Sequence, residues 1–152
     1  MGKKISYYNN FSKSKFLNLS LQERFELIYN ENYWESDQSR SGIGSEIDNT
    51  EEAFKALEHI IKQFNIKSII DIPCGDFNWM SSMDMKNLKY QGHDIVEQLI
   101  TENRKKFKES NISFLHSDIT NSKLGKADLI FVRDYLVHFS IEDIKKSIFR
   151  IK

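Results

Sequence analysis

The sequence contains little of what cross-links or interrupts a chain: one cysteine, one proline and six glycines among 152 residues. A single cysteine excludes an internal disulfide and is typical of a reducing compartment, so we expect a cytoplasmic protein. No apolar run reaches the roughly 18 residues that a spanning helix needs, so we expect no membrane partner. The 22 basic and 22 acidic residues balance, and no net charge favours nucleic acid as a partner.

The first part of the chain predicts a short helix and an irregular loop. Residues 1–19 mix polar and aromatic side chains and are interpreted as a loosely ordered lead-in. Ser20 and Glu23 have the spacing of a capping box, in which each side chain bonds the other residue's backbone N–H, so we expect a helix over 21–30. A stretch rich in serine and glycine follows at 39–45 and predicts a loop.

The rest of the chain alternates between helical and strand patterns. Apolar residues at helical spacing predict a long helix over 50–64 with one apolar stripe. Short apolar segments that predict buried strands then alternate with further helices. This alternation predicts an α/β fold with a parallel sheet, in which right-handed crossovers give the strand order 3-2-1-4. The predicted strands end in Asp71 or span 89–94, 112–116 and 128–133, and the stripe consists of Ala53, Phe54, Leu57, Ile60, Ile61 and Phe64.

Each predicted strand ends in an aspartate or is followed by one within about two residues. The carboxyl ends of parallel strands lie at the same edge of an open sheet, and such folds bind their ligands at that edge. The chain also turns sharply after the first strand, through Pro73 and Gly75. We therefore predict a ligand site at this edge of the sheet. The strand-end aspartates are Asp71, Asp94, Asp118 and Asp134.

The order and spacing of these strand ends resemble the class I S-adenosylmethionine-dependent methyltransferases. The resemblance runs from the first to the fourth motif of that family and covers about residues 66–150. More narrowly, Asp-Ile-Pro-Cys-Gly-Asp-Phe-Asn-Trp-Met at 71–80 and Arg-Asp-Tyr-Leu-Val-His-Phe-Ser at 133–140 resemble a subgroup linked to sugar or surface-glycan modification. The resemblance implies a Rossmann-like α/β domain, S-adenosylmethionine as cofactor, and methyl transfer to oxygen of a glycan, sugar or other small-molecule acceptor.

The resemblance also implies a partner for each part of the cofactor. Asp71 and Asp76 would attract its ammonium group, and Asp94 would accept bonds from both ribose hydroxyls, as an acid at this strand tip does in dinucleotide-binding folds. Asp118 would accept a bond from the adenine amino group, with Ile119 against the ring. The complete set implied for the cofactor is Asp71, Pro73, Cys74, Gly75, Asp76, Asp94, Ile95, Asp118, Ile119 and Arg133.

The loop after the first strand departs from the family's pattern at one position. The family has glycine where Pro73 stands, so the entry to this loop is stiffer and lacks one backbone N–H. Gly75 still permits a close approach of the backbone to a ligand. Cys74 is interpreted as a small residue tolerated beside the ligand and not as a reactive thiol.

The stretch rich in serine and glycine acquires a second interpretation from the resemblance. In the subgroup a segment before the first helix folds over the cofactor, and residues 41–45 look similar. Tyr33 and Trp34 precede this stretch and are suited to wall a pocket; the alternative is a plain linker. We therefore divide the chain into an N-terminal helical segment with a lid-like loop, 1–49, and an S-adenosylmethionine-binding domain, 50–152.

Transfer of a methyl group to a hydroxyl also requires removal of the hydroxyl proton. His138 is the predicted general base because histidine titrates near neutral pH, and Asp134, four residues earlier, would orient it if the segment is helical. A histidine packed at a helix start is an equally open interpretation. Arg133 either binds an anionic acceptor or pairs with Asp134. A metal site built on Asp134 and His138 is rejected because the sequence shows no third ligand.

The family's fold continues with three more strands after the fourth, and this sequence lacks them. The fourth strand is then expected to be an open edge, so we expect a fragment of a longer protein; the alternative is a partner chain that covers this edge. The alternative to an enzyme is a shortened, inactive module that binds S-adenosylmethionine or another protein. A nicotinamide-dependent oxidoreductase is rejected, because Pro73, Gly75 and Asn78 stand where Gly-x-Gly-x-x-Gly is required.

Overall fold

The computed structural model describes residues 13–16 and 18–151, and in this part of the chain four parallel strands form one sheet flanked by helices. Much of the predicted lead-in, residues 1–19, lies outside the described residues. The helices are α1 Lys13–Phe16, α2 Leu21–Asn30, α3 Ile47–Gln63, α4 Glu97–Lys106 and α5 Ile141–Ile151. The strands are β1 Ser68–Asp71, β2 Lys89–Asp94, β3 Ile112–His116 and β4 Leu129–Phe131. Short 3-10 helices span Ile43–Ser45, Met80–Ser82 and Leu136–His138.

The sheet has the predicted strand order, β3-β2-β1-β4. β1 lies between β2 and β4, with Asp71 opposite Gly92 on one side and Phe131 on the other. Every pairing is parallel, so the carboxyl ends of the described strands meet at one edge. The predicted Rossmann-like α/β sheet is therefore confirmed.

Two helices begin with side-chain caps, and the first of them is the capping box that the sequence predicts. The Ser20 hydroxyl accepts a hydrogen bond from the backbone N–H of Glu23 at 3.3 Å, and the Glu23 carboxylate accepts one from the N–H of Ser20 at 2.8 Å. These two bonds complete the capping box of α2. Ser140 caps α5 in a similar way, because its hydroxyl accepts a bond from the N–H of Asp143 at 3.2 Å.

β4 is shorter than the predicted range 128–133, and both of its ends have a physical cause. At the start, the Asp128 carboxylate accepts bonds from the N–H groups of Lys67 and Ser68, each at 2.9 Å, so the residue caps β1 with its side chain. At the far end the chain leaves the strand direction, and Asp134 has a positive φ of 52°.

An aromatic cluster holds the loop after β1 against the sheet. Phe77, in that loop, is 1% exposed, and its ring centroid lies 4.8 Å from that of Tyr90 and 5.2 Å from that of Phe114. Phe107, just after α4, contacts the same ring at 4.8 Å. Since Phe77 also has a positive φ of 58°, the loop bends sharply where this ring enters the core, and the core fixes the loop's position.

The apolar stripe predicted for α3 is only partly buried. Leu57 is 1% exposed, and Phe54 and Ile61 pack against the core. Ile60 and Phe64 are instead 36% and 64% exposed. Phe64 lies beyond the last helical residue, so it leaves the stripe. No helix among residues 13–16 and 18–151 has the length and apolar content that crossing a membrane requires.

Replacement of Leu57 by alanine is expected to lower the free energy of unfolding by about 2–5 kcal/mol, because it leaves a cavity in the core. Phe64→Ala, at the residue that directly follows α3, is the exposed control, and we expect it to change stability by less than about 0.5 kcal/mol. Urea unfolding followed by circular dichroism measures both. Similar losses for the two variants would contradict the burial described for α3.

Candidate functional site

A cavity of about 940 Å³ lies at the carboxyl edge of the sheet, within the roughly 300–1,000 Å³ typical of small-molecule sites. We call it the strand-tip cavity. The tips of the strands, α2 and the segment after β4 all contribute to its walls. Of the predicted site residues, those that line it are Asp71, Pro73, Cys74, Gly75, Asp94, Ile95, Asp118, Ile119, Arg133, Asp134 and His138.

Asp94, at the tip of β2, connects the loop after β1 to the start of α4. Its Oδ2 accepts a bond from the N–H of Gly75 at 3.1 Å, and its Oδ1 accepts one from the N–H of Val96 at 3.0 Å. Burial raises the pKa of Asp94 to about 6, although these backbone donors act in the opposite direction. Each carboxylate oxygen keeps a second lone pair, so Asp94 is still able to accept bonds from a ligand's hydroxyl groups.

Asp71, at the tip of β1, is a second buried acid beside Asp94. Tyr90 donates its hydroxyl hydrogen to Asp71 Oδ2 at 2.5 Å. Burial raises the pKa of Asp71 to about 7, the bond from Tyr90 lowers it, and the charge of Asp94 raises it further. The charge of Arg133 also lowers the pKa of Asp71, but it has less effect than burial, Tyr90 or Asp94. A ligand cation would therefore stabilise the ionised pair.

Asp118 is positioned by its own turn at the end of β3. Its Oδ1 accepts bonds from the N–H and the hydroxyl of Thr120, at 2.8 and 2.7 Å, and its Oδ2 accepts one from the Asn121 side chain at 2.8 Å. Ile119 is 2% exposed and lines the cavity next to it. An oriented carboxylate beside an apolar side chain suits the polar edge and the face of a flat ring.

Asp76 is the one predicted cofactor residue that does not line the strand-tip cavity. Its carboxylate accepts bonds from the N–H of Arg40 at 2.8 Å and from the Ser39 hydroxyl at 3.0 Å. Asp76 thus binds the loop rich in serine and glycine, and this geometry does not favour the ammonium contact predicted for it. Sequence spacing gave no sign of this role, because the partners lie 36 and 37 residues away.

Ser41, in the same loop, lies directly against Gly75. Gly75 has a φ of +55°, and a Cβ added there would lie 2.1 Å from Ser41 Oγ. That oxygen also accepts a bond from the N–H of Asp76 at 3.0 Å. Glycine is therefore required at position 75 for both its conformation and its lack of a side chain. The loop forms part of the cavity wall, and its action as a lid stays a prediction.

The segment after β4 differs from the helical arrangement on which the predicted Asp134–His138 pair depends. Asp134 has a left-handed φ, and the 3-10 helix begins only at Leu136, so the two side chains do not share a helical face. Asp134 instead pairs with Arg133 at 3.0 Å, which was the alternative interpretation. Arg133 Nη2 also donates to the carbonyl of Gly44 at 2.8 Å and so connects β4 to the serine- and glycine-rich loop.

His138 packs against aromatic side chains from the N-terminal part of the chain. Its ring centroid lies 5.1 Å from that of Trp34 and 6.2 Å from that of Phe25. Burial lowers the pKa of His138, and the nearby charge of Asp134 acts in the opposite direction. The imidazole is therefore neutral, and able to accept a proton, near pH 7. Its catalytic role and that of Asp134 stay predictions.

Sequence reasoning misses two groups of residues at the site. Tyr90, the donor to Asp71, is fully buried and does not line the cavity, and only the pairing register of β1 and β2 brings it close to Asp71. Arg24 and Ile28 lie one turn apart on α2 and both line the cavity. The sequence predicts this helix but not what it faces, because tertiary packing decides that.

Comparisons with known proteins bear on the fold. No protein-family model and no curated protein matches the sequence. Among solved structures, the N-methyltransferase NodS from Bradyrhizobium japonicum, in complex with S-adenosyl-L-homocysteine, is similar at a TM-score of 0.67 and 14% identity, over 84% of this chain and 65% of NodS. An S-adenosylmethionine-dependent methyltransferase from Leishmania major gives a TM-score of 0.65 at 11% identity, over 91% of this chain and 61% of that one.

The fold is that of the S-adenosylmethionine-dependent methyltransferases. The methyltransferase domain of bacterial CtHen1 is a third example, with a TM-score of 0.57 at 17% identity over 64% of this chain and 57% of that one. The chain thus spans 57–65% of the length of these three structures. Identities this low establish the fold alone.

Gly75→Ala is expected to destabilise the protein more than Gly125→Ala. The left-handed conformation alone costs a residue with a side chain roughly 1–2 kcal/mol, and the new methyl group would also meet Ser41 Oγ. At Gly125 the nearest atom to an added Cβ, Oε1 of Gln91, lies 3.9 Å away. Urea unfolding of the two variants measures the difference.

A second pair of variants tests the contact between Ser41 and a side chain at position 75. In a Ser41→Gly background the oxygen is absent, so Gly75→Ala should cost less stability there than in the natural sequence. An equal cost in both backgrounds would contradict the close approach of the loop to Gly75.

Proposed function

We propose that this protein binds S-adenosylmethionine in the strand-tip cavity and transfers its methyl group to an oxygen of a sugar or other small molecule. The observation that carries the proposal is the pair of buried acids, Asp71 and Asp94, at adjacent strand tips beside the left-handed Gly75. Two neighbouring buried carboxyls are costly unless a cation or hydroxyl donors satisfy them. The cofactor's ammonium and ribose hydroxyls are groups of this kind.

The cavity residues divide among the parts of the cofactor. Asp71 faces a ligand ammonium, and Asp94 has lone pairs left for the ribose hydroxyls. Asp118 accepts a bond from the adenine amino group, and Ile119 and Ile95 pack on the ring. Pro73 and Cys74 line the wall beside Gly75. This assignment is supported by the fold and by the lining of the cavity.

Methyl transfer to a hydroxyl requires that the acceptor be positioned and that one group accept its proton. When bound, S-adenosylmethionine would supply an activated methyl group, with its sulfur as the leaving group. The cavity walls would hold the acceptor beside that methyl group. His138 takes the hydroxyl proton, since its lowered pKa leaves it neutral near pH 7.

A second candidate function is a module that binds S-adenosylmethionine without turnover. The observation in its favour is that Asp134 pairs with Arg133, so the expected orienting partner of His138 is engaged elsewhere. Both candidates require the cofactor site. Formation of S-adenosyl-L-homocysteine in the presence of small-molecule acceptors, lost on His138→Ala, distinguishes the enzyme from the module.

Calorimetric titration of S-adenosyl-L-homocysteine tests the proposal. We expect micromolar binding, on the order of −8 kcal/mol, that is lost in Asp94→Ala because the variant removes the ribose acceptor. Asp84→Ala is the matched control, since Asp84 is exposed and does not line the cavity. Absence of binding by a protein that circular dichroism shows to be folded, or equal binding by Asp94→Ala, would contradict the proposal.

The affinity for S-adenosyl-L-homocysteine should rise with pH and level off above about 7. Burial places the pKa of Asp71 at about 7 and that of Asp94 at about 6, so below these values the free protein holds protons that an ammonium ligand must displace. Affinity then falls by up to about tenfold per pH unit for each proton displaced. Calorimetry in buffers of different ionisation enthalpy measures the proton release directly.

Asp71→Asn provides the control for this pH dependence. The variant cannot ionise at position 71, so it should bind more weakly at pH 8 and lose the part of the pH dependence that lies near 7. An affinity that does not change between pH 5 and 8 would rule out ionisation of these acids on binding.

A further inference from the structure

One wall of the strand-tip cavity consists of α2, Trp34 and the segment after β4. Phe25 on α2 contacts both His138 and Phe139, with ring centroids 6.2 and 6.0 Å apart. Trp34 closes on His138 from the same part of the chain. This wall holds the proposed base, so it is the part of the cavity where the acceptor oxygen must lie.

Arg24 lies in this wall and has a buried donor without a partner. It precedes Phe25 on α2 and lines the cavity. Its Nε is buried, and no hydrogen-bond acceptor contacts it in the part of the chain that the structure describes. Arginine is always charged and carries five N–H donors, and a buried donor left unsatisfied is costly. Nε itself has almost no surface open to the cavity, so an oxyanion in the cavity would satisfy this donor only with a small shift of the Arg24 side chain.

The acids near Arg24 in sequence have other partners. The Glu23 carboxylate is used by the capping box with Ser20, and Glu26 accepts a bond from Gln22 at 2.8 Å. Residues one and two positions apart on a helix point in different directions. The positive charge of Arg24 is therefore not neutralised by its own helix.

The other arginines in the cavity wall are less suited to the same task. Arg133 donates to the Gly44 carbonyl and pairs with Asp134, so its charge is already engaged. Arg40 lines the cavity and is exposed, which places it in contact with solvent. Arg24 has a buried donor and lies in the same cavity wall as His138.

We infer that Arg24 binds an anionic group of the methyl acceptor, a phosphate or a carboxylate, so that the acceptor is an anionic small molecule. The inference rests on the proposed function and specifies its substrate class. A planar guanidinium binds either oxyanion through two parallel N–H bonds. Phe25 and Trp34 then cover the carbon skeleton of the acceptor while its hydroxyl meets His138.

The cofactor's own carboxylate is the other source of an oxyanion in this cavity, and the experiment separates the two. Protein labelled with ¹⁵N is saturated with S-adenosyl-L-homocysteine, and the arginine Nε–H signals are followed by NMR. Sodium phosphate or sodium acetate is then added at constant ionic strength. The Arg24 signal is assigned by its loss in Arg24→Lys.

We expect the Arg24 signal to shift saturably with phosphate or acetate in the complex with S-adenosyl-L-homocysteine. Arg24→Gln should raise the apparent Kd for the anion at least tenfold and leave the affinity for S-adenosyl-L-homocysteine within about twofold. Arg150→Gln removes the same charge from α5, outside the cavity, and should leave the anion Kd unchanged. The anion that binds more tightly identifies the acceptor's charged group.

Three outcomes would overturn the inference. The Arg24 signal moves with S-adenosyl-L-homocysteine and then responds to neither anion, which assigns the residue to the cofactor carboxylate. Arg24→Gln and Arg150→Gln weaken anion binding equally, which would mean that the net charge of the protein, and not a contact with Arg24, determines the affinity for the anion. The Arg24 signal responds neither to S-adenosyl-L-homocysteine nor to the anions although S-adenosyl-L-homocysteine binds, which leaves the proposed function standing without this acceptor class. Failure of S-adenosyl-L-homocysteine to bind contradicts the proposed function itself.

Discussion

The hydrogen bond from the Gly75 N–H to the buried Asp94 carboxylate is the contact on which the site depends. It joins the loop after β1 to the tip of β2, and Asn103 on α4 holds the same loop by donating to the Gly75 carbonyl at 2.8 Å. Because Gly75 has no side chain, Ser41 lies against it and closes the cavity wall. Gly75 thus contacts β2, α4 and the loop rich in serine and glycine, and it fixes these three parts of the chain relative to one another.

The two buried acids, Asp71 and Asp94, lower the stability of the folded protein at neutral pH. Burial raises the pKa of Asp71 and of Asp94 above the values of an unfolded chain, so folding favours their protonated forms. The stabilisation is present in acid and is lost as the pH rises through about 6 to 7. A ligand that carries an ammonium group and hydroxyls would stabilise the ionised carboxylates. The two acids therefore destabilise the folded protein most at neutral pH without such a ligand.

Much of the fold followed from local patterns, whereas the site depended on contacts between distant residues. Alternating helices and strands, with crossovers of fixed hand, predicted the sheet order, and Ser20 with Glu23 predicted the start of α2. Spacing also placed Asp94 at a strand tip. It could not show that Asp76 binds a loop 36 residues away, or that Arg24 lies in the cavity wall, because tertiary packing alone brings these residues together.

A crystal structure of the protein with S-adenosyl-L-homocysteine tests the cofactor site directly. We expect the ligand in the strand-tip cavity, with its ribose hydroxyls on the Asp94 carboxylate, its amino group facing Asp71 and its adenine between Asp118 and Ile119. A ligand bound elsewhere on the surface, or bound in the cavity without contact to Asp94, would contradict this expectation.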